Sequence, residues 1–292
     1  MKGPISLGRR MRSVAIGLAM ALVFGTAGMA IGTVINGVEI TTPKHADDIT
    51  NIDILRREIK NYYGTPDATT GSAPTAGWTL PLNLDSNYAK EARSVAAKGR
   101  HFLNQHAEDS GKLAIVLDVD DTTLTTWNYE LYSNWDFNPT TNGQFVNDQL
   151  FPATPGMVRL VKRAHNLGYS VFFLTGRPQI QEAATLGNLT HDGIGVDAGY
   201  PAPDDATTGV DGLFTKPSVG SYPAYLDKPE FCAGAIDAGV SCATIPYKSG
   251  VRAYIESLGY TIVGNFGDQY SDLLGGFSVK TFKMPNPNYF LP

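Results

Sequence analysis

Three carboxylates lie within four residues of one another, where Asp118, Asp120 and Asp121 follow the apolar run 113–117. Like charges this close repel one another, and a bound cation is a common way to offset that repulsion. Capping of a helix by Asp121 or Thr122 is the alternative, but it accounts for only one of the three acids. The spacing therefore predicts a cation site that includes Asp118 and Asp120.

A hydroxyl, a bare backbone position and a guanidinium follow the next apolar run, in the order Thr175, Gly176 and Arg177. All three groups are suited to binding an anion. Taken alone, the same residues are also typical of a turn. Lys248 is predicted to open a helix over residues 249–258 and adds a cation there, although a lysine by itself is more typical of a solvated surface.

Asp268 and Asp272 form a second acidic pair, four residues apart, after the apolar run 260–264. A solvated turn is the alternative interpretation of this segment. The pair matters because it again stands at the end of a predicted strand. These two acids therefore join the candidate site residues.

The polar groups are expected at one edge of a parallel sheet. Apolar runs bounded by Gly and acids are typical of strands buried on both faces, and they fall at residues 113–117, 169–174, 260–264 and 278–282. Helices are predicted at residues 154–168, 179–189 and 249–258. Alternating strands and helices indicate a doubly wound α/β fold, in which ligands bind beyond the carboxyl ends of the strands.

Composition narrows the class of protein. The 292 residues are 42% apolar and 17% charged, which is typical of a globular enzyme. The net charge of −5 argues against a protein that binds a nucleic-acid duplex, since such proteins carry clustered positive charge. No internal repeat of fixed period is visible, so a solenoid or propeller is not expected.

The N-terminus has the pattern of an export signal. Residues 1–30 join four basic residues to an uncharged run rich in Gly and Ala. An uncleaved membrane anchor is one alternative, and it would be the protein's only membrane contact. A twin-arginine signal at Arg9 and Arg10 is another. In each case the folded part is predicted to be secreted or to lie at the cell surface.

The remaining chain divides into an extension and a core. Residues 31–111 are predicted to hold a linker and two helices, which begin near Thr50 and Ser86. Residues 112–292 hold the predicted sheet. Two segments interrupt it, at about 123–153 and about 193–245, and the second is rich in Gly, Pro and Asp.

Cys232 and Cys242 are the only cysteines of the chain. In an oxidising compartment a disulfide between them is favoured, and closing this loop stabilises the fold by roughly 2.5–3 kcal/mol. Two free buried thiols are the alternative. A metal site would need more ligands than the neighbouring residues offer.

Aromatic residues crowd the first insert, at Trp127, Tyr129, Tyr132, Trp135 and Phe137. Rings beside a candidate active site predict a sandwich for a flat group such as a nucleobase. A small hydrophobic core within the insert itself is an equally supported interpretation.

The motifs together resemble those of the haloacid dehalogenase (HAD) superfamily. The four matching elements, in the family's order, are Asp118-x-Asp120-x-Thr122, then Thr175, then Lys248, then Gly267-Asp268 with Asp272. The surrounding strings resemble the secreted acid phosphatase branch, subfamily IIIB, which includes plant acid phosphatases, vegetative storage proteins and bacterial nonspecific acid phosphatases. The resemblance covers about residues 85–292. It implies a three-layer αβα Rossmann-like core with a small cap inserted after the first core strand.

The resemblance also implies a chemistry, phosphoryl transfer through an aspartyl-phosphate. It makes Asp118 the nucleophile and Asp120 the general acid and base, while Thr175 and Lys248 hold the phosphoryl oxygens. It implies a Mg²⁺ ion bound by the Asp118 carboxylate, the Asp120 backbone carbonyl and Asp268. Asp272 would be a supporting acid that orients Lys248 or a metal-bound water.

A Mg²⁺-dependent acid phosphatase acting on small phosphomonoesters is therefore the predicted function, with 5′-nucleotides as one candidate substrate class. A phosphotransferase and a non-catalytic storage or binding protein are the alternatives on the same fold. The segment Thr125-Thr126-Trp127-Asn128 departs from the run that is usual in the bacterial branch, so substrate preference does not carry over. The sequence is silent on the oligomeric state.

Overall fold

The computed structural model describes residues 33–35, 38–40, 42–71, 82–190, 195–202 and 212–291. The predicted signal at residues 1–30 lies outside these described residues. Among the residues that are described, no helix is both long enough and apolar enough to cross a membrane.

A parallel sheet forms the centre of the fold. The strands are β1 (Thr33–Ile35), β2 (Val38–Ile40), β3 (Lys112–Leu117), β4 (Ser170–Pro178), β5 (Leu213–Lys216), β6 (Tyr260–Gly267) and β7 (Lys280–Lys283). The sheet has the order β5-β4-β3-β6-β7 with every neighbouring pair parallel, while β1 and β2 form a separate antiparallel hairpin. This confirms the predicted α/β fold with a parallel sheet.

Helices connect the strands. They are α1 (Ile52–Tyr62), α2 (Asn87–Gln105), α3 (Trp127–Ser133), α4 (Pro139–Asn147), α5 (Met157–Asn166), α6 (Glu182–Thr190), α7 (Ala233–Asp237), α8 (Thr244–Ser257) and α9 (Tyr270–Leu273). The α2 helix begins where the sequence predicts, because the Ser86 hydroxyl accepts a hydrogen bond from the Ala89 backbone N–H. The α3 and α4 helices lie between β3 and α5, at the position of the predicted cap.

Three helices begin at other residues than the sequence pattern predicts. The α6 helix starts at Glu182 rather than at residue 179, because Gln179–Gln181 form a 3-10 turn. The α5 helix starts at Met157 rather than near Thr154, because Gly156 takes a φ of +90° that ends the preceding turn. The α8 helix starts at Thr244, five residues before the predicted 249. Lys248 therefore lies inside this helix, in its second turn, and does not open it.

The apolar runs of the sequence do not predict the fifth strand of the sheet. It is β5, which lies inside the segment 193–245 that the sequence predicts to be an insert. Only four residues long, it pairs with β4 from Phe173↔Leu213 onwards, at the edge of the sheet. A strand this short gives little apolar periodicity for a sequence to show.

Helices cover both faces of the sheet. Along β3, Leu113, Ile115 and Leu117 pack into one buried cluster, while Ala114 and Val116 pack into another. The first cluster is closed by α2 and α5, and the second by α8 with the Cys232–Cys242 pair. This alternation follows from the two-residue period of a strand and produces the three-layer αβα arrangement.

The N-terminal extension packs against the cap. Tyr63, just after α1, stacks on Trp127 of α3 with ring centroids 4.1 Å apart, and on Tyr88 of α2 at 4.3 Å. These rings form a buried cluster with Ile59 and Leu131. The extension therefore braces the cap as well as the sheet, which α2 contacts directly.

Candidate active site

Sheet register places the two acidic segments side by side. Leu117 of β3 pairs with Phe266 of β6, and the Asp118 backbone N–H donates to the Phe266 carbonyl at 2.9 Å. Asp118 and Asp268 thus emerge from neighbouring strands at the same edge of the sheet, where the strand-end rule predicts a site.

Lys248 joins two of the carboxylates. Its buried Nζ donates to Asp118 Oδ1 and, at 2.6 Å, to Asp272 Oδ1. The other oxygen of Asp272 accepts the Gln269 backbone N–H at 2.9 Å. Gly267 permits this packing, since a Cβ there would lie 2.3 Å from the Asp272 Cβ. Asp272 therefore fixes the ammonium of Lys248 beside Asp118.

Burial and mutual repulsion both disfavour the charged forms of the acids in this site. Burial raises the pKa of the Asp118 carboxyl to about 7, against the lowering effect of Lys248, and Asp272 and Asp120 raise it further. Burial lowers the pKa of Lys248, but its two carboxylate partners outweigh burial and hold it above the ordinary value. Burial also raises the pKa of Asp268 well above its usual range, with Asp272 and Asp118 adding to the shift. One ammonium does not balance these acids, so a divalent cation would relieve the cluster.

The donor chemistry fits such a cation. One carboxylate oxygen from each of Asp118, Asp268 and Asp272 lies within 4.8 Å of the other two, and all three residues are buried. Oxygen-only ligand sets suit hard cations such as Mg²⁺. Asp118 and Asp268 directly follow the neighbouring strands β3 and β6, whereas Asp272 lies further along the chain in α9, so Asp118 and Asp268 are the side chains best placed to bind the ion at the strand ends.

Asp268 itself is held by three neutral donors. The Thr122 hydroxyl donates to Oδ1 at 3.2 Å, while the side-chain amides of Gln269 and Asn286 both donate to Oδ2 at 2.7 Å. No motif in the sequence predicts a role for Gln269 or Asn286. Asn286 follows the last strand of the sheet, so the strand-end rule that found Asp268 also applies to it.

Asp120 points to a different partner. The Arg177 guanidinium grips its carboxylate, with Nη2 at 2.6 Å from Oδ1 and Nε at 3.0 Å from Oδ2. Arg177 also donates to the Thr185 hydroxyl at 3.0 Å. Sequence reasoning predicted an anion contact for this guanidinium, whereas the structure pairs it with an acid of the site.

The neighbouring residues of β4 agree better with the predicted anion contact. Thr175 is fully buried, and its Oγ1 accepts the Arg177 backbone N–H at 3.1 Å, which leaves the hydroxyl proton to be donated. Gly176 is exposed, with open space where a Cβ would stand. Both residues lie at the carboxyl end of the strand next to β3.

Asp121 has a structural role. Its carboxylate accepts the backbone N–H and the hydroxyl of Thr126, at 2.9 and 2.6 Å, just before α3. Its φ of +53° turns the chain there. Asp121 does not cap α3, whose N-cap is Thr126. Its two hydrogen bonds hold the turn before this helix, and Asp118 and Asp120 remain as functional candidates.

The aromatic residues of the cap mostly pack on one another. Trp127 is buried, with Tyr63 stacked on it and Trp135 at 5.9 Å between centroids. Tyr129 is buried too, and its ring meets Phe145 edge-on at 5.3 Å. For Trp127 and Tyr129 these contacts favour the alternative of a hydrophobic core within the cap. Tyr132 and Trp135 are only partly buried.

A family model decides the assignment. It is described as HAD superfamily, subfamily IIIB (Acid phosphatase), and it matches residues 82–216 and 237–292. The match spans more than half of the chain and includes Asp118, Lys248 and Asp268. The chain belongs to this family. As a member, this acid phosphatase is a phosphoric monoester hydrolase, whose substrates are small phosphate esters.

Plant proteins are similar to this phosphatase along much of their length. The chain is 28% identical to the stem 28 kDa glycoprotein of Glycine max, over 70% of both chains. It is 29% identical to acid phosphatase 1 of Solanum lycopersicum, covering 66% of this chain and 65% of that one. Vegetative storage protein 2 of Arabidopsis thaliana is 26% identical, over 72% of this chain and 69% of its own length.

Among solved structures, the class C acid phosphatase of Bacillus anthracis is similar. It shows 20% identity and a TM-score of 0.45, covering 69% of this chain and 80% of that one. Its tungstate-bound form shows 18% identity with the same TM-score.

Proposed function

We propose that this chain is an exported, Mg²⁺-dependent acid phosphatase that hydrolyses phosphomonoesters through a phosphorylated Asp118. The observation that carries the proposal is the buried contact of Asp118 with Lys248, beside Asp268. A buried carboxylate with a fixed cation at its side is suited to approach a phosphate dianion that it would otherwise repel.

In the first step an Asp118 oxygen attacks phosphorus and forms the new P–O bond. The bond from phosphorus to the leaving oxygen breaks, and Asp120 gives that oxygen a proton. The Thr175 hydroxyl and the Lys248 ammonium hold oxygens of the transferring phosphoryl group. Both lie at the strand edge from which Asp118 emerges.

In the second step water replaces Asp118. Asp120 takes a proton from the water, whose oxygen attacks phosphorus, and the bond from phosphorus to Asp118 breaks. Inorganic phosphate and the free carboxylate result. Arg177 holds the Asp120 side chain in one orientation through three hydrogen bonds, and it must release one Asp120 oxygen before that oxygen carries the proton.

The residues that would hold Mg²⁺ are Asp118, Asp268 and the backbone carbonyl of Asp120. When bound, the ion supplies positive charge that offsets the phosphate and carboxylate charges in the transition state. The raised pKa values of Asp118 and Asp268 support this proposal, since burial leaves both carboxylates short of positive charge.

The leaving group would meet the cap. Of the rings considered for a sandwich, Tyr132 and Trp135 are partly exposed and Phe137 is exposed, so these three are the better candidates for a flat group such as the base of a 5′-nucleotide. Gly176, with open space beside it, would let a phosphate oxygen approach the backbone.

Export rests on residues 1–30 and on the cysteine pair. Cys232 and Cys242 form a disulfide in the structure, with Cα atoms 5.4 Å apart, which confirms the predicted pairing. Disulfides persist mainly in oxidising compartments outside the cytosol. A secreted or cell-surface location is therefore part of the proposal.

Hydrolysis of p-nitrophenyl phosphate by the purified protein tests the proposed function. We expect turnover that a chelator abolishes and Mg²⁺ restores. Asp118→Asn should remove turnover without unfolding the protein, while Asp136→Asn, which removes an exposed acid of the cap, should keep it. A folded wild-type protein without turnover in Mg²⁺ would instead point to the storage or binding alternative. Phosphate transfer to added glycerol in place of water would identify a phosphotransferase.

A further inference from the structure

The end of the chain returns to the active site. Residues 285–291, which we call the C-terminal strap, follow β7 without forming a helix or strand. The strap starts beside the site, since the Met284 backbone N–H donates to the Gly267 carbonyl at 2.8 Å. Because Gly267 directly precedes Asp268, the strap begins next to the candidate metal ligand.

Within the strap, Asn286 is oriented towards Asp268. The Asn288 backbone N–H donates to the Asn286 side-chain carbonyl at 2.8 Å. This bond fixes which end of the amide is the acceptor. The opposite end, Nδ2, donates to Asp268 Oδ2 at 2.7 Å.

Gln269 locks the strap to the same carboxylate. Its Nε2 donates to Asp268 Oδ2 at 2.7 Å and to the Tyr289 carbonyl at 3.3 Å. Its Oε1 accepts the Leu291 backbone N–H at 3.1 Å. One side chain thus holds the metal ligand and the strap in a single network.

Asn288 ties the strap to the other parts of the fold. Its amide donates to the Tyr63 hydroxyl at 2.9 Å and accepts from Trp135 Nε1 at 3.3 Å. Tyr63 belongs to the N-terminal extension and Trp135 to the cap. These contacts do not involve Asp268, so they can be separated from it by mutation.

We infer that Asn286 is a positioning residue, which orients the Asp268 carboxylate for the divalent cation. The inference rests on the proposed metal dependence. A carboxylate that accepts two amide donors on one oxygen is held in one rotamer. Its remaining lone pairs then point in a fixed direction. Loss of an outer partner of this kind typically weakens metal binding by about 10- to 100-fold.

Binding of Mn²⁺ to the metal-free protein, measured by titration calorimetry, tests this role. Asn286→Leu removes the amide at similar volume and should raise the Kd for Mn²⁺ about 10- to 100-fold. The matched control Asn288→Ala keeps the backbone N–H that orients Asn286 and should change the Kd less than about threefold. Circular dichroism confirms folding, and Asn286→Ala is measured if the leucine variant does not fold.

Two results would overturn the inference. One is an Mn²⁺ affinity of the Asn286 variants within threefold of wild type. The other is an equal loss in Asn286→Leu and Asn288→Ala, which would mean that the strap is only a general brace. Either result leaves Mn²⁺ binding by the wild type, and with it the proposed function, intact. A wild-type protein that binds no Mn²⁺ would contradict both.

Discussion

Glu130 should make the folded protein less stable as the pH rises. Its side chain lies buried on α3, and among the described residues its carboxyl makes no hydrogen bond or ion pair. Burial raises its pKa from 4.5 to about 8, and the charges of Asp121 and Asp120 act in the same direction. An acid with a raised pKa in the folded state favours folding while protonated, and this contribution is lost as the pH climbs from the unfolded pKa to the folded one.

The size of the effect follows from the shift. Each unit between the two pKa values corresponds to about 1.4 kcal/mol, so the wild type would lose at most about 4 kcal/mol between pH 5 and pH 8 from this group. Glu130→Gln keeps the volume and stays neutral, so it avoids that loss. For a domain of this size 1 kcal/mol corresponds to about 2–4 °C in Tm.

Thermal unfolding in the presence of a chelator measures the difference. The Tm of Glu130→Gln minus that of the wild type should grow between pH 5 and pH 8, by up to about 8–16 °C. Glu58→Gln removes an exposed acid of α1 and should show no such growth. If the Tm difference between Glu130→Gln and the wild type stays constant with pH, the carboxyl of Glu130 is not buried near Asp120 and Asp121 as the structure shows.

Three further predictions concern the site and the disulfide. Asp120→Asn should slow the bond-breaking step for alkyl phosphates far more than for p-nitrophenyl phosphate, whose leaving group needs little protonation; equal slowing in single-turnover kinetics would exclude Asp120 as the acid. Lys248→Met should destabilise the protein by about 3–5 kcal/mol, since it leaves two buried carboxylates without their cation; an unchanged urea midpoint would contradict the buried pairing. Replacing Cys232 and Cys242 by Ala should lower the free energy of unfolding by about 2.5–3 kcal/mol, and chemical denaturation with no loss would argue against a stabilising role for the bond.

The sequence revealed the site because parallel strands gather their carboxyl ends at one edge. Asp118 and Asp268 stand some 150 residues apart in the chain, yet each follows an apolar run, and the pairing of β3 with β6 brings them together. Lys248 was a weaker signal. Its helix begins earlier than predicted, and only the three-dimensional contact with Asp118 separates it from a surface lysine.

Other features depend on side-chain packing that no local pattern encodes. The grip of Arg177 on Asp120 joins the ends of two strands, and nothing in either segment distinguishes it from an anion contact. Trp127 is buried because the distant Tyr63 stacks on it. Asn286 also follows a predicted strand, so the rule that ligands bind beyond strand ends applies to it. An asparagine in a Pro-rich tail is equally typical of a turn, however, so the sequence does not single it out.

The covalent role of Asp118 is tested most directly by trapping the phosphorylated residue. Asp120→Asn slows attack by water, so p-nitrophenyl phosphate should give a burst of one nitrophenol per protein and leave the intermediate in place. Acid quenching, borohydride reduction and peptide mass spectrometry should then find homoserine at position 118. Steady release of nitrophenol without a burst, and with an unmodified aspartate at position 118, would contradict the aspartyl-phosphate mechanism.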